Sequence, residues 1–189
     1  MKNLWISIKI TLAMCVVLFV GYVLVLRLVA WVASPNDGEA PVVTYNGKVV
    51  GAANVGQVFT DSVYFWGRPS NVDYNGGGSG GSNKGTNNPE YLAQVEERID
   101  AFLAAHPYLS REEVPAEMVT ASGSGLDPDI SPRGAEVQIR RVAEARGMSV
   151  EEVKRIVDSV TEGPWLGLFG TSKVNVLKLN VALDTAQNK

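Results

Sequence analysis

The sequence predicts an α+β fold: a single N-terminal transmembrane helix followed by one mixed α/β extracytoplasmic domain. Three observations predict it. Ile10 to Leu26 contains no charged residue, and largely apolar stretches flank it from Leu4 to Ile8 and from Leu28 to Ala33. Beyond that run, helix caps stand ahead of apolar positions three and four apart, while other segments alternate apolar and polar residues at every second position. No internal repeat organises the remainder, so one domain of residues 34–189 is expected after an anchor of residues 1–33.

The anchor is justified by length. At 1.5 Å rise per residue the uncharged stretch covers roughly 26 Å as a helix. Its apolar flanks extend past a hydrocarbon core of about 30 Å, and Lys9 and Arg27 can snorkel to the headgroups. A cleaved signal peptide would have a shorter apolar region ending in small residues, whereas this run ends in Trp31, Val32 and Ala33. Lys2 and Lys9 precede the span and nothing acidic precedes Asp37, which predicts a cytoplasmic N-terminus and a C-terminal domain outside. Trp5 at one end and Tyr22 with Trp31 towards the other fit interfacial belts. Ser7, Thr11 and Cys15 recur every fourth residue on one helix face, where small side chains would let a partner helix approach. A lipid-facing stripe that happens to be small reads equally well.

The outer portion carries 14 basic and 20 acidic residues, a net −6. That balance argues against nucleic acid or an anionic membrane surface as its partner. The one cysteine lies in the span, so no disulfide can form within the outer domain, which must be held by its own core.

Along the domain, Val42–Tyr45 and Lys48–Val50 flank Asn46-Gly47, the dipeptide that supplies the positive φ angles of a two-residue hairpin turn. Gly76 to Thr86 is rich in glycine, serine and asparagine and reads as a loop. Asn88 caps a helix with Pro89 at its first position, running to about Ala105 before His106-Pro107 ends it. Val114 to Thr120 reads as a short strand. Ser131-Pro132 opens a second helix that stops at Gly147, and Ser149 with Glu152 forms a capping box for a third reaching about Thr161. Leu177, Leu179, Val181 and Leu183 alternate with Lys178, Asn180 and Ala182, which predicts a strand with one buried face.

Several chemical motifs match in letters and fail in context. Gly76, Gly78 and Gly81 satisfy GxGxxG without a strand leading in or a helix following closely. Gly77, Ser79 and Gly81 spell a nucleophile elbow, but the sole histidine, His106, reads as a solvated or capping residue at a helix end. Asp127 and Asp129 lack the further oxygen ligands of a calcium loop and read as turn and cap residues beside Pro128 and Pro132. No Cys/His cluster is spaced to hold zinc.

Five stretches are recognisable together. Tyr64 to Ser70 reads YFWGRPS. The loop from Ser79 reads SGGSNKG, with Asn88-Pro89-Glu90 after it. Val114 to Pro132 reads VPAEMVTASGSGLDPDISP, Gln138 to Gly147 reads QIRRVAEARG, and Val174 to Asp184 reads VNVLKLNVALD. In this order behind one N-terminal span, they closely resemble the C-subunit family of the bacterial Kdp potassium-transporting ATPase, over nearly the whole chain.

The resemblance implies a non-catalytic subunit of a bacterial plasma-membrane complex that uses ATP and potassium, with no cofactor of its own. The implied partners are a channel-like potassium-binding subunit (A), a P-type ATPase subunit (B) that forms an aspartyl phosphate, and the small single-helix subunit (F), within membrane lipid. It also implies a catalytic chaperone that raises the ATP affinity of the pump, with nucleotide contact at Gln138. The SGGSNKG loop and Arg140-Arg141 offer phosphate-binding chemistry; the competing reading is that the loop packs on a partner and that Gln138 with Arg141 ties helices together. Topology favours the second, because a domain outside the membrane cannot touch cytoplasmic ATP. A lid over the outer mouth of the potassium-binding subunit is then expected, docking through Tyr64, Phe65 and Trp66 beside Arg68 and through loop residues such as Ser82 and Asn83. Two alternatives stand beside it: a direct ATP-binding regulator, and an anchored periplasmic hydrolase.

Overall fold

The computed structural model describes residues 2–187. It contains two compact units, divided after Pro41. The first is built on helix α1, Lys2–Ala33, which is long and apolar enough to cross a membrane. Its turns widen to π-helical geometry over Val16–Tyr22. Ser7, Thr11 and Cys15 all precede that widening, so their four-residue spacing stays on one face of regular α-helix.

The second unit opens with an antiparallel hairpin, β1 (Val42–Tyr45) and β2 (Lys48–Ala52). Asn46 and Gly47 adopt φ of 50° and 75°, the left-handed pair the Asn-Gly turn requires. A bulge between Val43 and Thr44 shifts the register. No helix or strand follows until helix α2, Pro89–Ala105, whose N-cap is Asn88 with its side chain accepting from the Tyr91 N–H. The expected loop over Gly76–Thr86 and the expected cap and Pro89 start are all present. The loop region is fastened rather than loose: the Gly80 N–H donates to the Ser124 carbonyl at 2.8 Å and the Ser122 N–H to the Pro69 carbonyl at 3.1 Å. Gly125, at φ of 69°, is needed there, because a Cβ would meet a Val72 methyl at 2.5 Å and the Gly80 carbonyl at 2.9 Å.

Three sequence expectations are corrected. Val114–Thr120 is not a strand but a 3₁₀ turn over Ala116–Met118, because Pro115 offers no N–H for a ladder and Met118 and Val119 are buried side by side rather than alternately. The helix expected from Ser131 to Gly147 is broken into α3 (Pro132–Glu136) and α4 (Ile139–Arg146), with Gln138 at the break. The strand expected over Leu177–Leu183 is helix α6, Val176–Gln187. Val176, Leu177, Leu179, Asn180 and Leu183 are its buried positions; Val176, Leu179, Asn180 and Leu183 give the helical spacing, which alternation mimics over a short stretch once a buried asparagine is taken for an exposed one. The Ser149–Glu152 capping box does open α5, Val150–Val160, and Gly147 ends α4 in the left-handed conformation.

A small antiparallel sheet in the order β3-β5-β4 unites the domain. It is made from Asp129–Ile130 (β3), Thr161–Glu162 (β4) and Lys173–Asn175 (β5). The helices cover it with one core: Val153 and Val157 of α5, Val142 and Ala143 of α4, Phe102 of α2, Leu179 and Leu183 of α6, and Val174 of β5.

Candidate functional site

The polar centre of the domain is an extended segment, residues 64–68, threaded between helices. An extended chain must find partners for its backbone N–H and C=O groups, alternately to one side and the other. Here no neighbouring strand supplies them. The Asn180 amide from α6 accepts from the Phe65 N–H at 2.8 Å and donates to the Phe65 carbonyl at 3.0 Å. The Gln138 amide, at the α3–α4 break, accepts from the Trp66 N–H at 2.8 Å and donates to the Trp66 carbonyl at 3.2 Å. Two carboxamides thus clamp consecutive residues as two strands would. The helix break has a cause in this geometry: Gln138 is fixed at both ends, its Nε2 also donating to the Gly134 carbonyl at 2.9 Å.

Arg141 completes the centre. Its side chain is buried, and no carboxylate stands within salt-bridge distance of it among the described residues. Neutral acceptors surround the guanidinium instead. Nε donates to His106 Nε2 at 2.9 Å, Nη1 to the carbonyls of Ser62 and Tyr64 at 2.6 and 3.0 Å, and Nη2 to Gln138 Oε1 at 2.8 Å. The cation also lies 4.2 Å from the centre of the Trp66 ring. Burial pulls its pKa down to about 10, so it stays charged at neutral pH. Because Arg141 can only donate, His106 Nε2 must accept, which places the imidazole proton on Nδ1, facing the Phe102 carbonyl at 2.7 Å. Burial lowers the His106 pKa to about 4, with the Arg141 charge acting in the same direction. His106 is therefore a neutral core residue stacked on Phe102, not the solvated residue its place at a helix end predicted. It does occupy the C-cap position of α2.

Of the expected docking residues beside Arg68, Phe65 is enclosed, whereas Tyr64, Trp66 and Arg68 are half-buried. Phe65 has no exposed surface, which removes it from any docking face. Tyr64 is half-buried: its hydroxyl donates to Asp184 at 3.2 Å, and Arg146 lies over its ring at 5.0 Å, while burial raises its pKa. Trp66 donates its indole N–H to the Asp61 carbonyl at 3.0 Å. Arg68 pairs with Asp127 at 3.0 Å, and the Asp127 carboxylate also accepts the Asp129 N–H at 3.0 Å, the turn role expected of it. Beside this segment a mostly apolar cleft of about 320 Å³ opens between Trp66, Arg68, Tyr74, Arg98 and Phe102. In the glycine-rich loop, Ser82 is half-buried and Asn83 exposed at a left-handed φ of 53°.

Gln138 has thus spent its amide inside the domain, and contact with a nucleotide would require the clamp to open. Arg140, which with Arg141 and the SGGSNKG loop offered a phosphate cradle, turns outward to Glu144 at 2.9 Å. Asn180 is the organising residue that the sequence reading missed, His106 reads in the sequence as a solvated or capping residue, and the expected tie between Gln138 and Arg141 is present, Arg141 Nη2 donating to Gln138 Oε1 at 2.8 Å. One signal was available: Ala135, Gln138, Arg141 and Val142 fall on one helical stripe, which puts an arginine where a core residue belongs. No group of three or more His, Cys, Asp or Glu side chains able to hold a metal occurs among the described residues.

A family model described as KdpC: K+-transporting ATPase, c chain, matches residues 4–185. A Bacteroides fragilis protein named potassium-transporting ATPase KdpC subunit is 65% identical over 191 aligned positions that cover all of both chains. A Bacteroides thetaiotaomicron protein of the same name is 62% identical over 97% of this chain and 98% of its own length. The similarity persists in Caldanaerobacter subterraneus, where a protein so named is 45% identical over 94% of this chain and 92% of its own.

Proposed function

The chain belongs to the KdpC family of K+-transporting ATPase c chains, and from that premise we propose that it is the accessory, non-catalytic subunit of a potassium-transporting ATPase complex in the bacterial plasma membrane. Helix α1 anchors it, Lys2 and Lys9 hold the N-terminus in the cytoplasm, and residues 34–189 form the extracytoplasmic domain. There it stabilises the assembly of a channel-like potassium-binding subunit with a P-type ATPase subunit, and the single-helix subunit is a further neighbour in lipid. Ser7, Thr11 and Cys15 give α1 a face on which a partner helix can pack.

The observation that carries the indirect reading of any effect on ATP is the closed Gln138 clamp, every donor and acceptor of which is engaged within the domain. An effect of the chain on ATP affinity then works at a distance, by favouring one state of the pump through outer and transmembrane contacts. Pulling the tagged chain from detergent-solubilised membranes tests the assembly reading: a P-type ATPase is expected to come with it, and a chain that purifies alone overturns it. Titrating ATP onto the purified chain tests the indirect route. No saturable binding is expected, and binding that disappears in a still-folded Gln138→Leu variant would establish direct contact instead. A β-lactamase fused behind residue 189 should confer ampicillin resistance; a reporter active only in the cytoplasm would overturn the topology.

A further inference from the structure

The connection between β4 and β5 is built unlike the rest of the domain. Residues 163–172 contain no charge. Their centre is a tight loop: the Trp165 N–H donates to the Phe169 carbonyl at 2.8 Å, the Phe169 N–H returns to the Trp165 carbonyl at 3.0 Å, and the Gly167 N–H is taken by the Pro164 carbonyl at 2.9 Å. Leu166 sits at a left-handed φ of 54°, which a branched side chain adopts only against a cost, with Gly167 at 72° beside it. The result is a fixed shape, with the Trp165 and Phe169 rings 5.6 Å apart. Trp165, Leu166, Leu168 and Phe169 are 70%, 71%, 80% and 60% exposed. Four large apolar side chains held in water within five residues need a covering surface.

We infer that this loop is the peg by which the domain docks into an apolar socket on the outer face of the membrane-embedded, potassium-carrying partner, an inference that rests on the assembly reading above. Three features select a protein socket over lipid. A bilayer has no shape to match, whereas this loop is preorganised at the expense of a left-handed leucine, which lowers the ordering cost of fitting a defined cavity. Aromatic and leucine side chains with charges excluded are the composition of an interface centre. The lysines at its base offer no collar for headgroups: Lys173 is held by Asp129 at 2.9 Å, and Lys178 by Glu162 at 2.9 Å.

The chain's single cysteine makes the test direct. In the full complex, Cys15→Ser with Leu168→Cys leaves this chain one thiol, on the loop, for a photoactivatable maleimide, with the Cys15→Ser complex alone as the control for thiols of other subunits. Irradiation in native membranes is expected to link it to an extracytoplasmic segment of the potassium-carrying subunit. Links to lipid only, or to a second copy of the chain only, overturn the peg. Independently, Trp165→Ser with Leu168→Ser should lower the ATPase retained on the tagged chain by about tenfold or more, as loss of a central apolar anchor does. Thermal unfolding of the purified chain should be unchanged. Retention equal to wild type, with wild type itself bringing the ATPase down, overturns the peg and leaves the assembly reading standing; wild type that retains no ATPase overturns both.

Discussion

Tyr64, Phe65 and Trp66 lie beside Arg68 in an extended segment, and Trp165, Leu166, Leu168 and Phe169 lie in a loop with no charged residue. By composition the first looks more like a docking surface, since aromatic residues and arginine are enriched at interfaces. The exposures run the other way: the first segment is buried or half-buried, whereas the four apolar side chains of the loop are exposed. The first segment brings backbone N–H and C=O groups into the core and is accepted there because Asn180 and Gln138 satisfy them. The second satisfies its backbone within its own turn and leaves its side chains outside. What separates them is where the backbone hydrogen bonds go, not how apolar the side chains are.

The sharpest way to break the contrast is to empty the inward segment of its cation. Arg141→Ala removes four donors and leaves His106 Nε2, Gln138 Oε1 and the Ser62 and Tyr64 carbonyls without their partner, with a cavity beneath Trp66. A loss of about 4 kcal/mol is expected, from unpaired buried acceptors plus lost packing. That is a large share of a domain's usual 5–15 kcal/mol or so. Denaturant unfolding of the purified chain measures it. A change below about 1 kcal/mol would mean that water replaces the guanidinium freely and that the segment is not clamped.

Acidification reaches the same centre without a mutation. The unfolded chain protonates His106 near its ordinary pKa of 6.5, whereas the folded chain resists until about pH 4. Stability from this group is therefore complete above pH 6.5 and lost as pH falls towards 4, amounting to about 3 kcal/mol there. The gap in unfolding free energy between wild type and His106→Gln should shrink across that window. Parallel pH curves for the two proteins would show that His106 is not the titrating group.

Asn180→Leu keeps the volume of the other clamp and deletes its hydrogen bonds, leaving the Phe65 N–H and C=O buried and unpaired. Roughly 2–3 kcal/mol should be lost, one desolvation penalty for each group with partial relaxation. Neither clamp was legible in the sequence, and the reason is physical. The elements it did reveal are local: Asn88 caps α2 through a residue three positions on, Ser149 and Glu152 close a box of the same span, and Asn46-Gly47 turns a hairpin. The clamps join residues 115 and 72 positions apart. Asn180 misled further, since a polar residue amid leucines read as the exposed face of a strand when it was a buried position of α6. Composition placed helix α1 directly, because whether a helix is long and apolar enough to cross a bilayer is set by length and apolarity alone.

The smallest stability effect carries the contrast furthest. Leu168→Ser removes a side chain that is 80% exposed. Denaturant unfolding should shift by no more than about 0.5 kcal/mol, the range of ordinary surface changes. A loss beyond about 1 kcal/mol would mean that the loop packs on its own domain, and the two aromatic stretches would then differ in degree rather than in kind. If stability holds, the apolar surface of the loop contributes nothing to the isolated fold, and its strained, charge-free shape has to be accounted for by what the domain meets in the assembled pump.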